Sequence, residues 1–375
     1  MNAKPAVNSG QELGAGVAPD RVSQWIRPQI RSLSAYHVPD PGNLIKLDAM
    51  ENPYTWPRPL VDEWLETLRH ASLNRYPDPQ AHTLKARLRE VLDIPQGMDI
   101  LLGNGSDELI QMIAMAVAAP GRAVLSPEPS FSMYRMIAAF TGFEYISVPL
   151  NAGDFTLDMP AMRDAIARHQ PAVVFLSYPN NPSGNLWDAD ELCELIAAAP
   201  GLVVVDEAYN AFADSTFMPR LADFDNLLVL RTLSKMGLAG LRLGVLAGAK
   251  AWLDEFDKIR LPYNIGVLTQ TSAEFALRHY DVLEAQAAQI RIGREQLLAR
   301  MRALNGITAY PSRANFILFR VPAGRAAEIF AAIKADGVLI KSMHGASPLL
   351  NDCLRVTVGT PEENAAFLAA LAKVI

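Results

Sequence analysis

Three short apolar runs in this chain end on residues that could share one chemistry. LVVVD at 202–206 ends in Asp206, and Glu207, Ala208 and Tyr209 follow. LLVLRT at 227–232 ends in Thr232 and leads through Leu233 into Ser234 and Lys235. AVVFLS at 172–177 runs into Tyr178-Pro179-Asn180-Asn181-Pro182-Ser183-Gly184. In open α/β sheets, ligands bind at the carboxyl ends of the strands. If these runs are neighbouring strands, an amine, a carboxylate, an amide and hydroxyls converge on one rim. A lysine beside phosphate-binding groups, with a carboxylate on a neighbouring strand, suits a pyridoxal cofactor. The amine forms an imine with the aldehyde, and the carboxylate keeps the ring nitrogen protonated, so that the ring accepts electrons. Singly these residues say little. A lysine after a strand is commonly solvated surface, and a strand-terminal Asp commonly caps a turn or helix. The combination carries the reading.

Such a set needs a sheet to hold it. From about residue 99, short β-branched runs alternate with helical stretches. The runs include AVLS at 123–126 and YISV at 145–148, besides the three above, and the helical patterns include ELIQMIAMAVAA and MPAMRDAIARH. Continuous apolar strands alternating with helices indicate a mostly parallel sheet covered on both faces. A long helical segment, DVLEAQAAQIRIGREQLLARMRAL, runs from about 281 to 304. After it come ITAY, NFILFR, a helix near 325–335, VLIK, LRVTV and a terminal helix, read as a second, smaller α+β domain.

The 375 residues are too many for one small core and fit two or three domains. Half the residues are apolar and a fifth are charged, an ordinary globular balance. A net charge of −6 and the lack of a Lys/Arg stripe argue against a nucleic-acid binder. The first 20 or so residues read as a mobile tail without the apolar core of a signal peptide. No apolar stretch approaches the roughly 20 residues that span a bilayer. Cys193 and Cys353 sit in apolar runs, as buried reduced thiols would. A cytoplasmic protein is expected. GNGSDE has two glycines of a dinucleotide fingerprint but lacks the third, and there is no Walker A, HExxH or GxSxG sequence. The six histidines are scattered with no pair at helical spacing, so no metal site is expected.

The stretch RTLSKMGLAGLRLG, with DEAY and YPNNPSG before it, resembles the fold-type I pyridoxal-phosphate aminotransferases. More narrowly, MENPY at 50–54, NRYPDP at 74–79, GNGSDELI at 103–110, ANFILFR at 314–320 and LRVTVGTPEEN at 354–364 resemble the histidinol-phosphate aminotransferase subfamily, in the right order. The likeness spans about residues 30 to 375. It implies an α/β fold-type I transferase, with a mostly parallel central sheet in a large domain and a smaller α+β domain. The expected division is an arm at 1–46 packing on the small domain and a partner subunit, a pyridoxal-phosphate-binding domain at 47–280 and a small domain at 281–375.

The resemblance also implies roles. Lys235 would carry pyridoxal 5'-phosphate as a Schiff base and, once freed by substrate, move the proton as base and acid. Asp206 would pair with the ring nitrogen, and Asn181 and Tyr209 would hydrogen-bond the ring hydroxyl. Phe131 falls where an aromatic stacks on the ring; this family often has Tyr there, and plain core packing is the alternative. Gly105, Ser106 and Asp107, at a helix start near 107, would offer amides and helix dipole to the phosphate. Ser106 could equally N-cap that helix. Ser234 and Arg242 complete the cradle, with Thr232 beside them. From Lys235 to Arg242 is seven positions, one fewer than in many relatives, which loosens the placement of Arg242. Tyr76 resembles the tyrosine that reaches the phosphate from the neighbouring subunit, implying a homodimer with a shared site.

Substrate contacts follow the same way. Arg355 matches the arginine that grips the substrate's acidic group. Tyr36 and Lys341 fall near contacts to a substrate phosphate, although relatives commonly have Arg at the latter, and Lys lacks the planar bidentate grip. Asn52 either lines the entrance or shapes the turn before Pro53, and the turn is favoured. The implied reaction takes glutamate as amino donor and imidazole-acetol phosphate as keto acceptor, giving 2-oxoglutarate and histidinol phosphate for histidine synthesis. The alternatives are an aromatic or broad-specificity aminotransferase and a phosphothreonine decarboxylase-like lyase. The cofactor motifs do not separate these.

Overall fold

The computed structural model describes residues 19–35 and 38–375. The chain forms two units, divided after Val38. The first contributes two short helices, Pro19–Trp25 and Pro28–Arg31. The second is Pro39–Ile375.

Its strands are β1 (Ile45–Lys46), β2 (Met98–Asn104), β3 (Ala123–Glu128), β4 (Glu144–Pro149), β5 (Val173–Ser177), β6 (Leu202–Asp206), β7 (Leu227–Thr232), β8 (Leu243–Ala249), β9 (Thr308–Ala309), β10 (Phe316–Arg320), β11 (Val338–Leu339), β12 (Lys341–Ser342) and β13 (Cys353–Thr357). Seven of them make the main sheet in the order β2-β8-β7-β6-β5-β3-β4. All run parallel except β8, which is antiparallel to both neighbours. The sheet buries both faces, which is why its strands read as unbroken apolar runs. Along β6, Val203 and Val205 enter one core with Val174 and Leu176 of β5. Leu202 and Val204 enter the opposite core with Phe175 of β5 and Leu228 and Leu230 of β7. Each such side chain contributes about 1.5–3 kcal/mol of burial.

Register sets the rim. Ser177 is opposite Asp206, Asp206 opposite Leu230, and Thr232 opposite Gly244. At the sheet edge Asn104 is opposite Leu243. The carboxyl ends of β2, β5, β6 and β7 therefore lie on the same side as the start of β8. Helix Ser106–Val117 begins directly off β2, with Leu109, Ile110 and Ile113 buried.

A four-stranded sheet, β12-β13-β10-β9, is antiparallel throughout, and β1 pairs with β11 in a separate parallel ladder. The segment read from sequence as one unit, VLIK, thus splits between two sheets. Helix Tyr280–Arg302 puts Ala287, Ile290, Leu297 and Met301 into the core shared with Phe316, Phe319 and Val356. The last helix, Pro361–Ala372, opens with a Thr360–Glu363 capping box. Cys353 is buried and Cys193 only half-buried, so the expectation of two buried thiols holds for one of them. Among the described residues no helix is long and apolar enough to cross a membrane, and no cluster of acidic, His or Cys side chains could hold a metal.

Candidate functional site

The rim closes around a cleft lined by Ser106, Asp107, Phe131, Asn181, Asp206 and Tyr209, and further by Thr232, Ser234, Lys235 and Arg242. These ten come from two helix starts, from the ends of β5, β6 and β7 and from the start of β8.

Lys235 leaves β7 through a single 3-10 turn, Ser234–Met236, closed by Gly237 at φ 113°. Its Nζ donates to the carbonyl of Ala49 at 3.3 Å. Burial pushes the ammonium down to about 8, and the neighbouring Arg355 charge adds to the effect. An amine that would keep its proton well above neutral pH in water here loses it near pH 8, and so becomes a nucleophile at mildly basic pH.

Asp206 is the last residue of β6, so its side chain points over the rim. Its Oδ2 accepts from the Tyr134 hydroxyl at 2.7 Å and its Oδ1 from the Ala208 amide at 3.1 Å. Burial raises the carboxyl to about 6, against the pull of those two donors. At neutral pH it remains largely ionised.

At the other end of the cleft, Gly105 adopts φ 81° and ψ 169°, conformations essentially reserved for glycine. A Cβ there would lie 2.5 Å from Arg242 Nη2, so the missing side chain leaves room for the guanidinium. Arg242 Nη1 lies 3.4 Å from Ser234 Oγ, and Nη2 lies 3.6 Å from Asp107 Oδ2. The Ser234 amide donates to Thr232 Oγ1 at 3.1 Å, which orients the serine. Ser106 is the first residue of its helix and Gly105 holds the cap position with no side-chain bond. The N-cap role considered for Ser106 is therefore corrected, and the helix starts one residue before the expected 107. Free amides and an arginine here form an anion cradle. The shortened Lys235–Arg242 segment does not displace Arg242, because pairing of Leu243 with Asn104 fixes it next to Gly105.

Arg355, on β13, donates to Asn181 Oδ1 at 2.5 Å and to the Asp48 carbonyl at 3.1 Å, and it lies over the Phe316 ring at 5.2 Å. Asn181 Nδ2 in turn donates to Tyr209 Oη at 3.2 Å. So Arg355, Asn181 and Tyr209 are one connected set, which joins the small sheet to the rim of the large one.

Besides Gly105 and Arg355, which stand just behind it, three expected site residues among the described ones lie outside the cleft lining. Asn52 accepts the Tyr54 amide at 2.8 Å and donates to the Met236 carbonyl at 3.1 Å and to Gln286 Oε1 at 3.0 Å. That is the turn geometry, and it also ties down the segment carrying Lys235. Tyr76 is 79 % exposed and stacks on Tyr263 at 4.3 Å. Lys341 is the cross-strand partner of Arg355, so both side chains project from the same sheet face. Tyr36 lies outside the described residues.

Sequence reasoning missed Met50, Ser177 and Ala208, which also line the cleft, and Tyr134 behind it. Ser177 ends its strand as Asp206 does, and Ala208 stands within DEAY, so both had the rim signal. Tyr134 follows Phe131 by three positions, one helical turn, which puts the two on one face. Met50 reaches the cleft through φ 53°, which its residue type does not announce.

Comparison with known proteins follows this geometry. The family described as aminotransferase class I and II matches residues 42–371. Histidinol-phosphate aminotransferase 2 of Nitrosococcus oceani is 61% identical over 94% of this chain and 98% of its own length. Histidinol-phosphate aminotransferase of Chromobacterium violaceum is 53% identical over 93% of this chain and 98% of its own. A crystal structure of histidinol-phosphate aminotransferase from Sinorhizobium meliloti, in complex with pyridoxal-5'-phosphate, superposes with a TM-score of 0.81. It is 26% identical and covers 93% of this chain and 97% of that one.

Proposed function

The chain belongs to the class I and II aminotransferases, and from that premise we propose that it moves an amino group between L-histidinol phosphate and 2-oxoglutarate. The products are imidazole-acetol phosphate and glutamate, the pathway is histidine biosynthesis, and the cofactor is pyridoxal 5'-phosphate. The observation that carries the chemistry is the convergence of Lys235, Asp206 and the Gly105–Ser234–Arg242 cradle on one cleft. The substrate assignment is supported by the identity of 61% to the Nitrosococcus oceani aminotransferase over nearly the whole chain.

The cleft suits this cofactor by its own geometry. Arg242, brought close by the missing side chain at Gly105, and Ser234 beside it would hold a phosphate. The buried carboxylate of Asp206 would face a ring nitrogen, and the nearly enclosed amine of Lys235 would meet an aldehyde. When bound, the cofactor supplies that aldehyde and a protonated ring that takes up the electron pair released at the substrate carbon.

The protein's own groups do the rest. Lys235, with its proton affinity lowered, would hold the aldehyde carbon and would carry a proton at Nζ, with the Ala49 carbonyl as resting acceptor. Asp206 presents a fixed negative charge to the ring. Asn181 and Tyr209 would hold the ring hydroxyl, and Phe131 would cover a ring face. Arg355 would grip the substrate's acidic end, a carboxylate in glutamate, and Lys341, its cross-strand neighbour, would stand near the phosphate of the other substrate.

The active enzyme is a homodimer in this reading. Tyr76 is exposed and stacks on Tyr263, and Leu73 and Leu261, close to them in sequence, are exposed as well; these are apolar side chains that a second copy would cover. The enzyme is cytoplasmic, in keeping with two cysteines that form no disulfide.

Two measurements test this. Lys235→Ala should abolish the visible absorbance of the bound cofactor; persistence of the band would refute the assignment of Lys235. Histidinol phosphate should convert the holoenzyme to its amine form much faster than phenylalanine at equal concentration. Equal rates would overturn the substrate assignment.

A further inference from the structure

Tyr134 lies behind the cleft, not in its lining. Its ring stacks on Phe175 of β5 at 4.8 Å with the planes 6° apart. It meets the edge of Phe131 at 5.5 Å, and only 1 % of the residue is exposed. These contacts account for the aromatic ring but not for its oxygen. A phenylalanine would pack as well, and a buried hydroxyl is costly unless it is hydrogen-bonded. The oxygen has one strong partner, Asp206 Oδ2 at 2.7 Å.

We propose that Tyr134 is a positioning residue for amino transfer: its phenol fixes the Asp206 carboxylate and keeps it ionised toward the cofactor's ring nitrogen. This rests on the aminotransferase reading above. The Ala208 amide holds one oxygen of Asp206 and Tyr134 the other, so two separate elements fix the carboxylate plane. The surrounding charges otherwise oppose ionisation. Burial acts first, and Asp107 from helix Ser106–Val117 and Glu207 in the adjoining turn act in the same direction. Tyr134 and Ala208 are the counterweights, and Tyr134 is the larger. Ser177, at the end of β5, also faces the phenol. Lys235 and Arg242 line the same cleft. The same side chain braces Phe131, so Tyr134 supports both a covering ring and the ring-nitrogen partner.

The test is Tyr134→Phe, which removes one oxygen and keeps both ring contacts. The holoenzyme is loaded with pyridoxal phosphate labelled with ¹⁵N in the ring, and the nitrogen signal is followed against pH beside the kcat profile. The fraction of protonated nitrogen should fall at neutral pH. The acid limb of kcat should rise by about one pH unit, and the cofactor Kd should weaken about tenfold, the equivalent of one unit. In an Asp206→Asn background the same change should leave Kd within about twofold, the usual error of such a cycle. An unmoved nitrogen titration, or an equal loss in both backgrounds, would overturn the proposal. Should Tyr134→Phe fail to fold, 3-fluorotyrosine placed at 134 is nearly isosteric and a stronger donor. It should move the acid limb down, and an unshifted limb would overturn the proposal equally. A parent protein that binds no pyridoxal phosphate would instead sink the aminotransferase reading.

Discussion

Gly105→Ala separates the two demands that the phosphate cradle makes on one residue. The native backbone, at φ 81° and ψ 169°, lies in a region that costs a residue with a side chain about 1–3 kcal/mol. The new methyl would also stand 2.5 Å from Arg242 Nη2, well inside van der Waals contact. The obstructing group is the far end of a flexible side chain, so the guanidinium moves and the fold survives. What is lost is a charge-assisted hydrogen bond to the phosphate, about 1.5–3 kcal/mol. That corresponds to a cofactor Kd weaker by roughly 10- to 150-fold. The assay compares the apoprotein's affinity for pyridoxal 5'-phosphate and for pyridoxal, which lacks the phosphate. Affinity for the first should fall as stated. Affinity for the second should change by less than about threefold, within ordinary coupling error. Equal losses for both ligands would show that the glycine serves only the helix start, and unchanged affinity for both would refute the steric argument.

Two further outcomes are expected. Lys235→Met should stabilise the apoprotein at pH 7, because the native amine is held near 8 instead of 10.5 and so is buried at a cost of roughly 3 kcal/mol while protonated. The unfolded chain binds more protons between those two values, so the gain should be complete below pH 8 and gone above pH 10.5, as read by urea unfolding against pH. Asn52→Ala strands the Met236 carbonyl and Gln286 and should cost about 1–3 kcal/mol in the same assay. KM for histidinol phosphate should be unchanged, whereas a rise in KM without loss of stability would restore Asn52 to the substrate.

Much of this was legible because buried strands announce themselves. The runs ending at Ser177, Asp206 and Thr232 contain only apolar residues before the last one or two, and each matches an observed strand closely. β2 and β8 were not legible, and the reason is physical. LGVLAGA carries glycines where nothing larger fits: a Cβ on Gly244 would sit 2.5 Å from the Gly105 backbone, and one on Gly248 2.4 Å from Leu228. The close packing that the site needs removes the β-branched residues that mark a strand. The reversed direction of β8 was implicit in its connection, since ten residues between Thr232 and Leu243 are too few for a parallel crossover. Tyr134 stayed hidden because its partner is set by tertiary packing and not by spacing. Asn52 was read for both entrance and turn, and only its three partners show how its side chain is engaged.

The reversed strand also bears on how this scaffold can change. Arg242 directly precedes the first rung of β8, where Leu243 is opposite Asn104, and Lys235 follows the last rung of β7, Thr232, by three residues. The turn between them is held at its start, by buried Met236 and Leu238 and by Gly237 at φ 113°, and is open at Gly240, where an added Cβ meets nothing. A change of sequence at Gly240 therefore leaves amine and guanidinium at their stations, and a library varied there should retain far more members that bind the cofactor than one varied at Gly244 or Gly105.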